Sequence, residues 1–158
     1  MENSGRRHLE DERKATTRKF TIGGQKAYVT VGMYPDGKPG EIFIVMSKEG
    51  STMSGLVDTS AIALSLALQY GVPVKAIVAK LASRQFEPMG MTNYECVPCA
   101  TSITDLIARW LGILYLDLDT LKEVGVLTKC HECNQAVRHN RKVFPCKSLC
   151  LPSTSPPP

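Results

Sequence analysis

The chain has 158 residues, 43% of them hydrophobic, and a net charge of +4. That composition suits one folded domain of roughly 100–120 residues with a smaller appendage, and the charge is too small to argue for nucleic acid by itself. The longest apolar-rich run, LVDTSAIALSLALQY, is broken by Asp58, Ser60, Ser65 and Gln69 and is too short to cross a bilayer.

The first stretch, MENSGRRHLEDERK, is charged and has no apolar h-region, so no secretory signal is read and a cytoplasmic location is expected. Residues 1–16 are expected to form a flexible charged arm. RKFTIGG, QKAYVTVGMY and GEIFIVMSK then read as three strands, rich in β-branched and aromatic residues. GGQ and PDGKPG between them are turns, since Gly and Asp-Gly accept positive φ. The expected product is a three-strand antiparallel meander.

Helical spacing comes next. LVDTSAIALSLALQY sets Leu56, Ile62, Leu66 and Leu68, with Ala61, Ala63 and Ala67, in a stripe too wide for a surface helix. A central core helix on the sheet is expected. Gly71 ends it and Pro73 opens a short second helix, PVKAIVAKLA. Ser83 to Ala100 is a long loop with Pro88, Gly90 and Pro98. TSITDLIARWLGILYL resumes helical spacing, with Thr101 or Ser102 as cap and Asp105 in the first turn. The α+β domain is placed at 17–116, a linker at 117–128, a cysteine-rich segment at 129–150 and a disordered end at 151–158.

Ser51, Thr52 and Ser54 stand where the first helix begins. A helix's free N–H groups attract anions, and Lys48 adds charge. A phosphate or nucleotide site would draw on Lys48, Ser51, Thr52 and Ser54, with the ring faces of Tyr28 or Tyr34. The plainer alternative is helix capping by one of the hydroxyls. Neither the P-loop spacing nor GxGxxG is present.

KCHECNQAVRHNRKVFPCKSLC places Cys130, Cys133, Cys146 and Cys150 in a C-x2-C-x12-C-x3-C pattern. Two thiolate pairs on short knuckles suit a tetrahedral zinc in a ribbon-like tail, and binding would fold a segment too small to fold alone. An unstructured or redox-active tail is the alternative. The net positive charge resides there, in Lys129, Arg138, Arg141, Lys142 and Lys147 against Glu132. Phe144 is the tail's single aromatic, so nucleic-acid contact is not expected. His131 and His139 are substitute ligands, better read as solvated. Cys96 and Cys99 form a separate C-x2-C just ahead of the third helix. They are a redox dithiol, half of a metal site shared with either tail pair, or two small loop residues.

RRHLEDERKATTRKFTIGGQKAYVTVGMYPDGKPGEIFIVMSKEGSTMSGLVDTSAIALSLALQYGVPVKAIVAKL closely resembles a segment near the C-terminus of adenosylcobalamin-dependent (class II) ribonucleotide reductases. That segment holds the TSCPD domain. The likeness covers roughly residues 6–116 and runs through whole phrases, including PGEIFI, KEGST and ALQYGVP. The run Thr-Ser-Cys-Pro-Asp stands here as Thr101, Ser102, Ile103, Thr104 and Asp105, so thiol chemistry at position 103 does not transfer. Class II reductases often end in a similar cysteine-paired tail, implicated in metal binding or in passing electrons to the active site.

Ribonucleotide reduction in that family needs a large barrel with radical-forming and reducing cysteines and a cobalamin site. The chain has no room for them, so it is expected to bind no cobalamin and run no catalysis alone. The histidines, His8, His131 and His139, lie in charged terminal segments, and Asp58 and Glu41 read as solvated or capping carboxylates. Two functions stand side by side. One is an accessory module that docks on a separate reductase catalytic chain, relays electrons, or both. The other is a free-standing protein that binds a nucleotide or phosphorylated ligand. An exposed edge strand would also allow a homodimer.

Overall fold

The computed structural model of the protein describes residues 5–47 and 51–126. It is an α+β fold. Strands β1 (Ala15–Ile22), β2 (Gln25–Met33) and β3 (Pro39–Met46) form an antiparallel sheet in the order β1-β2-β3. The expected meander is present. Gly23 and Gly24, at φ +52° and +79°, make the first turn. A Cβ on Gly23 would also lie 2.6 Å from the carbonyl oxygen of Met89. The register pairs Phe20 with Ala27, Val29 with Ile44 and Val31 with Ile42. Alternate residues therefore send one apolar set to a single face.

Helix α3 (Ile103–Tyr115) covers that face with Ile103, Leu106, Ile107, Trp110 and Leu111, all buried. Phe20 meets the Trp110 ring edge-to-face at 5.3 Å and the Tyr94 ring at 5.9 Å. Helix α2 (Val74–Leu81) packs on α3 and adds Ile77 and Val78. The 83–100 loop carries a two-residue antiparallel pair, β4 (Gly90–Met91) with β5 (Cys99–Ala100). The stretch expected as a linker instead holds a short helix, α4 (Leu118–Glu123), capped by Asp117, with Leu121 and Val126 in the core.

Helix α1 (Thr52–Gln69) ends as expected at Gly71, φ +85°. Val72 N–H reaches Ala67 O at 2.9 Å and Gly71 N–H reaches Leu68 O at 3.0 Å, a Schellman termination. Its position differs from the central one expected. It lies along the free edge of β3, with Val57, Ala61 and Leu68 turned to the core. The Ser65 hydroxyl accepts Ile42 N–H at 2.8 Å, and Gln69 Nε2 donates to Gly40 O at 3.0 Å. Leu56, Ile62 and Tyr70 are 62%, 57% and 60% exposed. The apolar stripe is wide because it has two sides, and only one of them faces the core.

That placement bears on the edge-pairing route to a homodimer. β3 is occupied by α1, and β1 is covered from Lys19 onward. Asn93 Oδ1 accepts Thr21 N–H at 2.7 Å, and its Nδ2 donates to Lys19 O at 3.1 Å. Among the described residues, the edge left uncovered is the first half of β1, residues 15–18.

The segment expected as a flexible arm gives its last two residues to β1 and is tied down before it. Arg7 N–H donates to Gln69 O at 2.9 Å, Arg6 Nε to Gln69 Oε1 at 2.5 Å, and Arg13 pairs with Glu41.

Ser65→Ala removes the acceptor for Ile42 N–H at a half-buried edge. It is expected to cost about 1–2 kcal/mol in chemical denaturation. Ser60→Ala, which removes a hydroxyl bonded only back to Leu56 O on the exposed side, should stay within about 0.5 kcal/mol of the parent.

Candidate functional site

The residues singled out from sequence do not gather in one place. At the start of α1, Ser51 is the N-cap in extended conformation, and its Oγ accepts Ser54 N–H at 3.1 Å. Capping is thus assigned to Ser51. Thr52 is exposed, Ser54 is half-buried and Lys48 lies outside the described residues. Tyr28 is on the outer face of the sheet opposite Val45, with the Lys19 ammonium 5.7 Å from its ring centre. Tyr34 is buried at the other end of α1, against Gly40 and the arm. An 18-residue helix rises about 27 Å, so Tyr34 and the Ser51–Ser54 turn do not share a ligand.

Tyr34 belongs instead to a cleft that sequence reasoning missed. It is an open groove of about 850 Å³ between the arm, the β2–β3 turn, the end of α1 and the end of α3. Arg7 organises its polar rim. The guanidinium lies 3.8 Å over the Tyr34 ring and bonds Asp36 at 3.0 Å, while the Tyr34 hydroxyl donates to Arg7 O at 2.6 Å. The Lys38 backbone N–H, then Arg7, hold the Asp36 carboxyl below its ordinary range. Lys38 lines the same rim, and Lys75 enters it while paired with Glu123. Leu68, Val72 and Leu114 give an apolar floor. Such a groove can hold an anionic group against Arg7 and Lys38 with an apolar or ring-bearing body below. Its polar partners are far apart in sequence, so no local motif announces it.

The Thr101–Asp105 run is a structural hub. Ser102 caps α3, its Oγ accepting Asp105 N–H at 3.0 Å, and Ser102 and Asp105 are both buried. One Asp105 oxygen accepts Ser83 N–H at 2.6 Å and Arg109 Nε at 2.9 Å. The other accepts Thr101 N–H at 3.1 Å. Arg109 continues to Val126 O at 3.3 Å. A buried carboxylate needs such partners, and these three tie the exit of α2, the start of α3 and the last described residues together. Ser83 is held at φ +64° within this network. Ile103 is fully buried, so position 103 is a packing position in this chain.

Cys99 is exposed in β5 opposite Met91, with Thr101 and the Ser102 cap between it and α3. It therefore stands ahead of the first helical turn, at the end of the 83–100 loop, as the sequence places it. Cys96 is half-buried beside Tyr94. Burial pushes its thiol up, and the hydrogen bond from the Tyr94 hydroxyl and the nearby Arg18 charge oppose that shift. Burial also raises the Tyr94 phenol. The Arg18 guanidinium sits 4.1 Å from the Tyr94 ring centre. Among the described residues no group of three or more His, Cys, Asp or Glu could hold a metal. Cys130, Cys133, Cys146 and Cys150 lie outside the described residues, as do His131 and His139.

A raised Cys96 thiol carries less thiolate near neutrality, and the thiolate is the nucleophile. Site-resolved mass spectrometry with iodoacetamide at pH 7.5 is expected to find Cys99 alkylated several-fold faster than Cys96. The gap should narrow at pH 9 and disappear in denaturant. Equal rates in the folded protein would contradict the burial assigned to Cys96.

The chain's likeness to known proteins covers this fold. The TSCPD domain family matches residues 5–115. Vitamin B12-dependent ribonucleotide reductase of Rhodopirellula baltica is 51% identical over 111 residues, 70% of this chain but 11% of that protein. The protein of the same name from Streptomyces avermitilis is 41% identical over 134 residues, 85% of this chain and 14% of the relative. The one from Agrobacterium fabrum is 42% identical over 120 residues, 75% and 9%. No solved structure gives a significant match. The chain thus spans about a tenth to a seventh of these relatives' length. With the match running from the arm to the last turn of α3, the chain belongs to the TSCPD domain family.

Proposed function

We propose that this domain is a non-catalytic accessory module of vitamin B12-dependent ribonucleotide reduction, docking on a catalytic chain and relaying electrons to it. The observation that carries this is the 51% identity to a small part of a reductase named for that activity. A segment that matches 9–14% of the three relatives named above has the rest of such a polypeptide as its natural neighbour. Electron relay would fall to cysteines, Cys96 and Cys99 within the domain and Cys130, Cys133, Cys146 and Cys150 beyond it. Four thiolates are also a donor set suited to zinc, which would hold the last four as a structural unit instead. Metal analysis separates the two uses. A structural site should yield about one zinc per chain, lost in Cys130→Ser.

The docking reading is tested with a reductase catalytic chain from which its own matching segment has been deleted. Added domain is expected to bind it and to raise its turnover with a dithiol reductant. The absence of both binding and stimulation would overturn the proposal.

The cleft favours a second reading, a phosphorylated small ligand held by Arg7 and Lys38 with a ring against Tyr70. A nucleotide panel should then raise the melting temperature, and Lys38→Ala should abolish the shift. No stabilisation by any nucleotide at millimolar concentration would end this reading.

A further inference from the structure

Apolar side chains on the solvent side of this fold are not scattered. Tyr28, Phe43 and Val45 alternate with the core residues of β2 and β3, so all three stand on the outer face of the sheet. The register sets Tyr28 directly opposite Val45, and Phe43 is two residues along the same strand. They are 44%, 50% and 52% exposed.

Helix geometry extends this face. Around α1, Val57, Ala61 and Leu68 point to the core, and Ser65 and Gln69 point to the β3 edge. Each residue advances about 100° around the helix. Ile62 and Leu66 are therefore turned past the edge, on the side opposite the core, which is the side the outer sheet face looks toward. Tyr70 follows Leu66 on this side, and all three are exposed. α1 holds one ionisable residue, Asp58. The sheet's outer face and the α1 flank thus make one apolar surface built from two elements. Monomeric proteins rarely leave contiguous apolar patches above a few hundred Å² without a use for them.

The surface has a charged rim on one side. Lys19 and Lys26 lie on the β1–β2 side of Tyr28, whereas Glu41, the carboxylate on the same face, is engaged by Arg13. A second copy would bring its own Lys19 and Lys26 against a single outer carboxylate, Asp58, one helical turn before Ile62, so positive charge would be in excess on both sides. The complementary partner is an apolar surface with an acidic margin.

We infer that this surface, the outer face of β2–β3 with the Ile62 and Leu66 flank of α1, is where the catalytic part of a vitamin B12-dependent ribonucleotide reductase docks. The inference rests on the accessory-module proposal and supplies its contact face. The relatives supply the occupant: in each, this domain is accompanied by a much larger remainder of the same chain. The cleft meets this surface only at Tyr70, at the C-terminal end of α1.

The test uses the full chain and the Rhodopirellula baltica reductase lacking its matching segment, retained only if it still binds its B12 cofactor. Phe43→Glu and Ile62→Glu place a carboxylate at exposed positions, and unchanged melting will show that both variants fold. Lys80→Ala, on exposed α2, is the control. Parent and control binding alike, with each Glu variant weakened about tenfold or more, is the expected result. Parent and Glu variants binding alike would overturn the face while leaving the accessory role standing. No binding by the parent would overturn both. A dimer by light scattering that the Glu variants dissolve would assign the face to a second copy and overturn the inference.

Discussion

Three strands leave two open edges for one interior strand, and every unpaired N–H and C=O along them must find a partner or water. This fold meets that demand with side chains. Ser65 and Gln69, one helical turn apart, serve Ile42 and Gly40, two residues apart on β3. Asn93 serves Lys19 and Thr21 on β1. The spacing matches because a turn of helix and two residues of strand advance by similar distances, about 5.4 and 6.8 Å. The rest of the architecture depends on α1 being drawn to the edge. The inner face is left for α3, and the outer face carries no other element among the described residues.

Asp105 does for the helical layer what these side chains do for the sheet. A loop of eighteen residues between Ser83 and Ala100 would be costly to hold by its own short contacts. One carboxylate gathers its two ends and the Arg109 guanidinium. The run that names the family is here a capping serine, a buried core position and a carboxylate that organises backbone. Chemistry at its third position is not required for any of those tasks. Ile103 can therefore replace a cysteine and keep the architecture.

Local patterns announced the features that local physics decides. Alternation and the Gly23–Gly24 and Asp36–Gly37 turns gave the three strands. Gly71 gave the end of α1, and the Ser102–Asp105 spacing gave the start of α3. What was illegible depends on direction and distance. Apolar periodicity in Leu56, Ile62 and Leu66 cannot say which side of a helix meets the core. The run of α1 back along β3 was legible, because so short a connection forces it, and the order of elements already set Tyr34, ahead of β3, and Ser51, after it, at opposite ends of that strand. Arg6, Arg7 and Arg13 find Gln69, Asp36 and Glu41 at long range, so a charged arm read as solvated when it is docked. α4 is too short for periodicity, although Asp117 was a legible cap.

Gln69 joins the arm and the sheet in one planar group. Its Nε2 grips Gly40 on β3 while its Oε1 receives Arg6. The two halves of an amide cannot rotate independently, so neither contact can be released without disturbing the other. Tension applied along the chain ahead of β1 would consequently be delivered to the opposite border of the sheet, at β3, instead of being dissipated in solvent.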